Sequence, residues 1–256
     1  MIAEVEILKL FLLVAVRFSG LILSAPVLGS ANFPVLGKIG LIGLSAFVVT
    51  PTLASLDSPL PGEPFEFALL AAGELLIGLI IGLVMQFLFG AIQVAGQIMD
   101  MQSGFGLINV FNPALETQFP IFGFFFFILA ILYLITSYGH HLMIRALVST
   151  FERVPVGGFS PDTTVMAQVA AWAGLMFYDA LLIAAPVSAA MMLAYITMGL
   201  MGRVVPQIHL FVVGFPLTIA TSLLVVALTI GLYLQLLDGM FTDMFRNVDR
   251  LIDGLG

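Results

Sequence analysis

The stretch GLIIGLVMQFLFGAIQVAGQIMDMQSGFGLINVFNP, residues 78–113, is an apolar run interrupted at steps of three or four by Gly78, Gly82, Gln86, Gly90, Gln93, Gln97, Asp100 and Gly104. At about 100° per residue these positions stay on one face of an α-helix. An amide or a carboxylate in hydrocarbon is costly without a partner, so this face meets water or other helices and not lipid. The glycines let another backbone come close. Behind the stripe, Gln102 to Pro113 combines Gly104 and Gly106, both suited to positive φ, with Phe105, Leu107, Ile108, Val110, Phe111 and a closing proline. It reads as a shaped loop carrying aromatic and aliphatic side chains.

Working outward, the whole chain has the same character. Its 256 residues are 61% hydrophobic and 9% charged, against about a quarter charged in globular domains. The chain reads as an all-α, multi-helix integral membrane protein. There is no cysteine, so disulfides and thiolate chemistry are excluded. A net charge of −7 argues against nucleic acid and against a polybasic grip on anionic lipid. Glu4, Glu6 and Arg17 in the first apolar segment argue against a cleaved signal peptide.

Apolar runs occupy 7–28, 39–56, 67–94, 119–138, 165–200 and 210–237, and at about 20 residues per span six spanning helices are expected. The run from Phe67 to Met101 would be about 50 Å long as one helix, as would 165–200, so both must tilt, kink or protrude. Pro186 is expected to break the latter, and Pro26, Pro34 and Pro51 to punctuate the first two segments. Residues 57–64 form a proline-rich acidic loop and 154–162 a shorter turn. On six spans the basic residues favour cytoplasmic termini. The tail, 238–256, is amphipathic, with Met240, Phe241, Met244, Val248, Leu251 and Ile252 opposed by a net acidic face, and is expected to pack on a partner.

Arg17, Lys38, Glu74, Asp179 and Arg203 are charges embedded in apolar runs, each costly unless paired or wetted. Arg17 or Lys38 paired with Glu74 would stitch helices together. His140 and His141 point about 100° apart on a helix and cannot share a metal in the i, i+4 manner, which leaves an interfacial or helix C-terminal capping role. Between two long helices, Gly199, Gly202, Arg203, Pro206, Gln207 and His209 are more elaborate than a plain turn needs. No nucleophile elbow, phosphate loop, dinucleotide fingerprint or metal motif is present, so neither catalysis nor a cofactor is expected.

In order, Arg17, Pro26, Pro34 and Lys38, then Glu74-x-x-x-Gly78-x-x-x-Gly82, then Ala95-Gly96 with Asp100-x-Gln102-x-Gly104, then His140-His141 with Ser149, then Gly199-x-x-x-Arg203-x-x-Pro206-Gln207 with Phe211-x-x-Gly214-x-Pro216, resemble the FliR family of type III secretion export-gate proteins. The Arg-x-x-Pro-Gln element is the most specific part, and injectisome homologues are similar. The resemblance implies a single subunit made of a FliP-like part, about 1–164, fused to a FliQ-like hairpin, about 165–237. It implies assembly with FliP-like and FliQ-like chains beside FlhB and FlhA in the bacterial inner membrane, at the flagellar basal body. It further implies that 102–117 is a plug closing the pore until an unfolded export substrate passes, with Arg17, Lys38, Glu74, Arg203, Pro206 and Gln207 serving assembly.

Read from residues alone, the same loop also suits a re-entrant segment packed statically between helices. A small-solute secondary transporter is the competing function, suggested by polar residues at depth. Such transporters show two related halves and clustered midplane charges, whereas here the halves differ and the charges are scattered.

Overall fold

The computed structural model describes residues 2–53, 61–106, 120–160, 163–206 and 210–255. Every regular element among them is an α-helix: α1 Ile2–Ser24, α2 Val35–Leu53, α3 Pro64–Ser103, α4 Ile121–Thr136, α5 Gly139–Arg153, α6 Thr163–Val204 and α7 Leu210–Asp253. Prolines mark the starts. Pro34 and Pro120 immediately precede α2 and α4, and Pro64 opens α3, where the missing N–H is one the first turn would leave unbonded anyway.

Five helices, α1, α2, α3, α6 and α7, are long and apolar enough to cross a membrane, and α4 with α5 would make a sixth as a broken span bent by 67°. The chain is therefore an all-α membrane protein, and the sixth expected span is the bent one. Its break falls at Ser137 and Tyr138, where Tyr138 takes the left-handed conformation with φ +56°. The 40, 42 and 44 residues of α3, α6 and α7 correspond to about 60 Å or more each, twice the hydrocarbon thickness of about 30 Å.

Three expectations fail here. Pro186 does not break α6, which runs through it as α7 runs through Pro216 and α2 through Pro51. A proline removes one ladder bond, a loss that side chains and local adjustment absorb in a membrane helix. His140 and His141 lie in the first turn of α5 and cap no helix C-terminus, since the bend at Tyr138 starts a new helix one residue earlier than the pair. Their rings lean together with centroids 4.2 Å apart. Finally, the tail is no separate element. It is the last stretch of α7, and its apolar face is buried within the chain.

The fold divides into two compact units. The first joins residues 1–87, 134–173 and 242–256. Its interior holds Leu13, Val14 and Phe18 of α1, Ile77 and Ile81 of α3, Met143 and Leu147 of α5, and Val248, Leu251 and Ile252 of α7. Arg153 on α5 pairs with Asp249 and Asp253, and Ser160 donates its N–H to the Leu255 carbonyl at 3.2 Å. The tail thus finds a packing surface for its apolar face within its own chain.

The second unit joins 88–133 and 174–241. Phe89, Ile92, Ala95 and Met99 of α3, Phe122 and Phe126 of α4, Val187 and Met191 of α6, and Tyr233 of α7 are buried in it. The Tyr233 hydroxyl donates to the Phe126 carbonyl at 2.9 Å, and the two rings lie 4.3 Å apart.

Candidate functional site

The small and polar stripe of α3 separates into two kinds of position. Gly78 and Gly82 are buried against α1: a Cβ on Gly78 would run into the Arg17 carbonyl and lie 2.7 Å from the Leu21 nitrogen, and one on Gly82 would meet Ser24. The α1 side of this crossing is Gly20, where a Cβ would come within 2.5 Å of the Leu75 carbonyl oxygen. Gly20 was legible as the partner of Gly78, because Gly20-x-x-x-Ser24 on α1 repeats the small-x-x-x-small spacing of Gly78 and Gly82. Gly90 faces the flexible end of Met176. Gln86, Gln93 and Gln97, by contrast, are exposed on the chain, and Asp100 is buried.

Asp100 begins the more elaborate part of the site. Its carboxylate accepts the Phe122 N–H through both oxygens, at 3.1 and 3.2 Å. Phe122 is in the first turn of α4, whose leading N–H groups have no partner within their own helix, so an acid on α3 caps α4 from outside. A Cβ on Gly96 would strike Gly123, so the helices meet backbone to backbone one turn before the cap.

The last carbonyls of α3 face the opposite deficit. Here they are taken by hydroxyls from distant helices. Tyr195 on α6 donates to the Gln102 carbonyl at 2.5 Å, and Thr218 on α7 donates to the Ser103 carbonyl at 2.8 Å. Gly104 follows with φ +95°, and a Cβ there would lie 2.9 Å from the Phe215 ring. Glycine is required on both counts. Gly106 has no positive φ, contrary to expectation, since the chain has resumed a helical conformation there.

Phe105 then stacks edge to face on Phe122 with centroids 5.4 Å apart. The chain leaving α3 and the chain entering α4 are therefore in contact at these two residues. Leu107, Ile108, Val110 and Phe111 lie outside the described residues.

The embedded charges have separate fates. Arg17 pairs with Glu74, Nε to Oε2 at 2.5 Å, and donates from Nη1 to Thr150 Oγ1 at 2.9 Å and to the Val154 carbonyl at 3.1 Å. Its guanidinium carbon lies 4.0 Å from the Phe151 ring centroid. Glu74 also accepts the Gly157 N–H at 2.9 Å. One buried network thereby ties α1, α3, α5 and the turn after α5. Lys38 does not compete for Glu74 and donates instead to the Gly29 and Ser30 carbonyls, both at 3.0 Å, securing the turn before α2. Arg203 and Pro206 are exposed at the end of α6, and Gln207 lies outside the described residues.

Among the described residues no group of three or more His, Asp or Glu could hold a metal ion. The arrangement is mechanical: backbone ends held in place by side chains from other helices, with amides left facing outward.

The comparisons with known proteins agree along nearly the whole length. A family model for bacterial export proteins, family 1, matches residues 8–244. The flagellar biosynthetic protein FliR of Escherichia coli K12 is 30% identical over 248 residues, covering 97% of this chain and 94% of the relative. Its counterpart in Bacillus subtilis 168 is 30% identical over 255 residues, covering 97% of each. That of Aquifex aeolicus VF5 is 28% identical over 196 residues, covering 73% of this chain and 72% of the relative. With the family model spanning most of the chain and two relatives at 30% identity over nearly all of it, the chain belongs to bacterial export proteins family 1, the family of flagellar biosynthetic proteins FliR.

Proposed function

We propose that this chain is a core subunit of the flagellar type III protein export gate, and that residues 102–117 plug the pore through which unfolded flagellar proteins leave. In this reading it assembles with FliP-like and FliQ-like chains, adjoins FlhB and FlhA, and sits in the bacterial inner membrane at the basal body. Residues 1–164 are the FliP-like part and 165–237 the FliQ-like hairpin. The flagellar relatives support the flagellar assignment, and the apolar helices support the membrane.

The observation that carries the plug is the root of the loop. A segment meant to fill a lumen and then yield needs fixed ends and a body free of covalent or metal ties. Phe105 against Phe122 brings the ends together, and Asp100, Tyr195 and Thr218 hold them. Leu107, Ile108, Val110 and Phe111 supply the apolar seal, at roughly 1.5–3 kcal/mol for each large side chain buried. That is enough to close a pore at rest and small enough for a threading chain to displace. The exposed Gln86, Gln93 and Gln97 support assembly, because an amide face on a membrane helix needs hydrogen-bonding neighbours.

The test is ion conductance of the reconstituted complex after deletion of residues 107–117, which leaves the held ends in place. Near-normal assembly with a raised leak is expected. A baseline as tight as wild type would assign the seal elsewhere.

A further inference from the structure

Resting on the export reading, and independently of which residues seal the pore, we infer that Gln86, Gln93 and Gln97 form a wetted, uncharged wall of the export passage along which the unfolded polypeptide slides.

From Ile77 to Ser103 the exposed residues of α3 are Leu83, Gln86, Gln93, Gln97 and Met101, and the rest of that stretch is buried or nearly so. At about 100° per residue these five fall within an arc of about 80°, a single outward line. Along it the three amides span about 16 Å. The outward side chains of the other spanning helices are of a different kind, such as Leu12 on α1, Phe47 on α2, Leu193 on α6 and Leu228 on α7. Those suit hydrocarbon, and an unpartnered amide does not. None of the three glutamine side chains makes a hydrogen bond among the described residues.

Two features favour water over a partner's helix as what the line meets. Each glutamine offers two donors and two acceptor positions, so a dry seam would have to satisfy about twelve sites at once while freezing three long side chains. Gly90, the one small residue between the amides through which another helix could approach closely, is already covered by this chain's own Met176, whose Sδ would lie 2.7 Å from a Cβ there. The hydrogen-bonding surroundings that the amides need are then water enclosed by the assembly.

Two further features fit a passing polypeptide better than an ion. Asp100, the only ionisable residue from Leu75 to Gly106, is buried as the cap of α4, so the outward line carries no charge that would hold an ion. Amides donate and accept as a polypeptide backbone does and as water does, so a chain moving past them exchanges one set of hydrogen bonds for another with little net gain. Such a wall neither traps a substrate nor selects a sequence. It suits cargo defined by being unfolded.

The chain has no cysteine, so Gln86→Cys, Gln93→Cys and Gln97→Cys each introduce a single thiol. The experiment uses the assembled complex in liposomes, with a charged, membrane-impermeant methanethiosulfonate on both sides and modification of this chain read by mass spectrometry. Because a thiol reacts where it can ionise in water, the three positions are expected to react at least about tenfold faster than Phe47→Cys and Leu193→Cys on exposed apolar faces. A substrate fused to a domain too stable to unfold, and so stalled in the passage, should slow the three by a similar factor and leave the two controls unchanged.

Rates no faster than the controls overturn the inference, since lipid or a partner then covers the line. Fast modification that the stalled substrate leaves unchanged also overturns it, since the line is then wet but outside the passage. In both cases the export reading stands. If no substrate engages the complex, the two fall together. Loss of assembly in all three variants likewise overturns the inference, because an amide that meets only water is dispensable for assembly.

Discussion

The Nε of Arg17 meets Oε2 of Glu74 at 2.5 Å across 57 residues of sequence, and solvent reaches neither side chain. A buried ion pair is weak evidence of net stabilisation, because desolvating two charges offsets most of their attraction. Its importance lies in the asymmetry of breaking it. Arg17→Ala leaves a buried carboxylate facing only the Gly157 N–H, at an expected cost of about 3–5 kcal/mol. Arg17→Met combined with Glu74→Leu should recover most of that loss. Thermal unfolding of the purified complex, followed for Arg17→Ala and for the double variant, measures the difference.

Close backbone approach separates two glycines that look alike in sequence. Gly78→Ala should force α1 from α3, because the new methyl meets the Arg17 carbonyl, and should cost about 1–3 kcal/mol. Gly90→Ala meets only the end of Met176, which can turn aside, and should be near neutral. Protease resistance of the two variants compared side by side checks this.

Asp100→Asn keeps a side-chain oxygen for the Phe122 N–H, whereas Asp100→Leu removes it and leaves a buried helix start unsatisfied. The second should cost about 1–3 kcal/mol and the first much less. Hydrogen exchange at the amides of residues 121–123 provides a local readout, with Leu expected to accelerate it and Asn to leave it nearly unchanged.

Arg203 is exposed and makes no hydrogen bond or ion pair among the described residues. Arg203→Ala should therefore leave the chain's own stability within about 0.5 kcal/mol. If Arg203 anchors the hairpin to another subunit, the same variant should co-purify poorly with FliP-like and FliQ-like chains. Unchanged recovery of the complex would remove it from the assembly residues.

The helix bodies were legible because apolar runs of spanning length have few other solutions in a membrane. The helix ends were not. The long helix was read as running to about Met101 with a loop from Gln102, and it continues to Ser103, where α6 and α7 supply the donors that its last carbonyls lack. Those suppliers are more than 20 residues away in sequence, so no local window contains them.

Helix α5 was missed although Met143, Leu147, Thr150 and Val154 recur at steps of three and four, because Ser137-Tyr138-Gly139 reads as a run's end and not as a bend between helices. Arg17 and Glu74 were recognisable as costly charges, and their pairing was one of two options. What decided it was Lys38 turning back to its own chain's carbonyls. The Tyr195 and Thr218 hydroxyls gave no signal, since a tyrosine or threonine in an apolar helix is unremarkable until its acceptor is known.

The first compact unit takes buried residues from α1 and again from the final turns of α7, with Val248, Leu251, Ile252 and Leu255 fully enclosed. Ribosomal synthesis delivers these two contributions at opposite times, so α1 reaches the membrane long before the residues that complete its unit exist. A nascent chain stalled near residue 240 would have made nearly all its spanning segments and still present an unfinished surface to the cell's proteases.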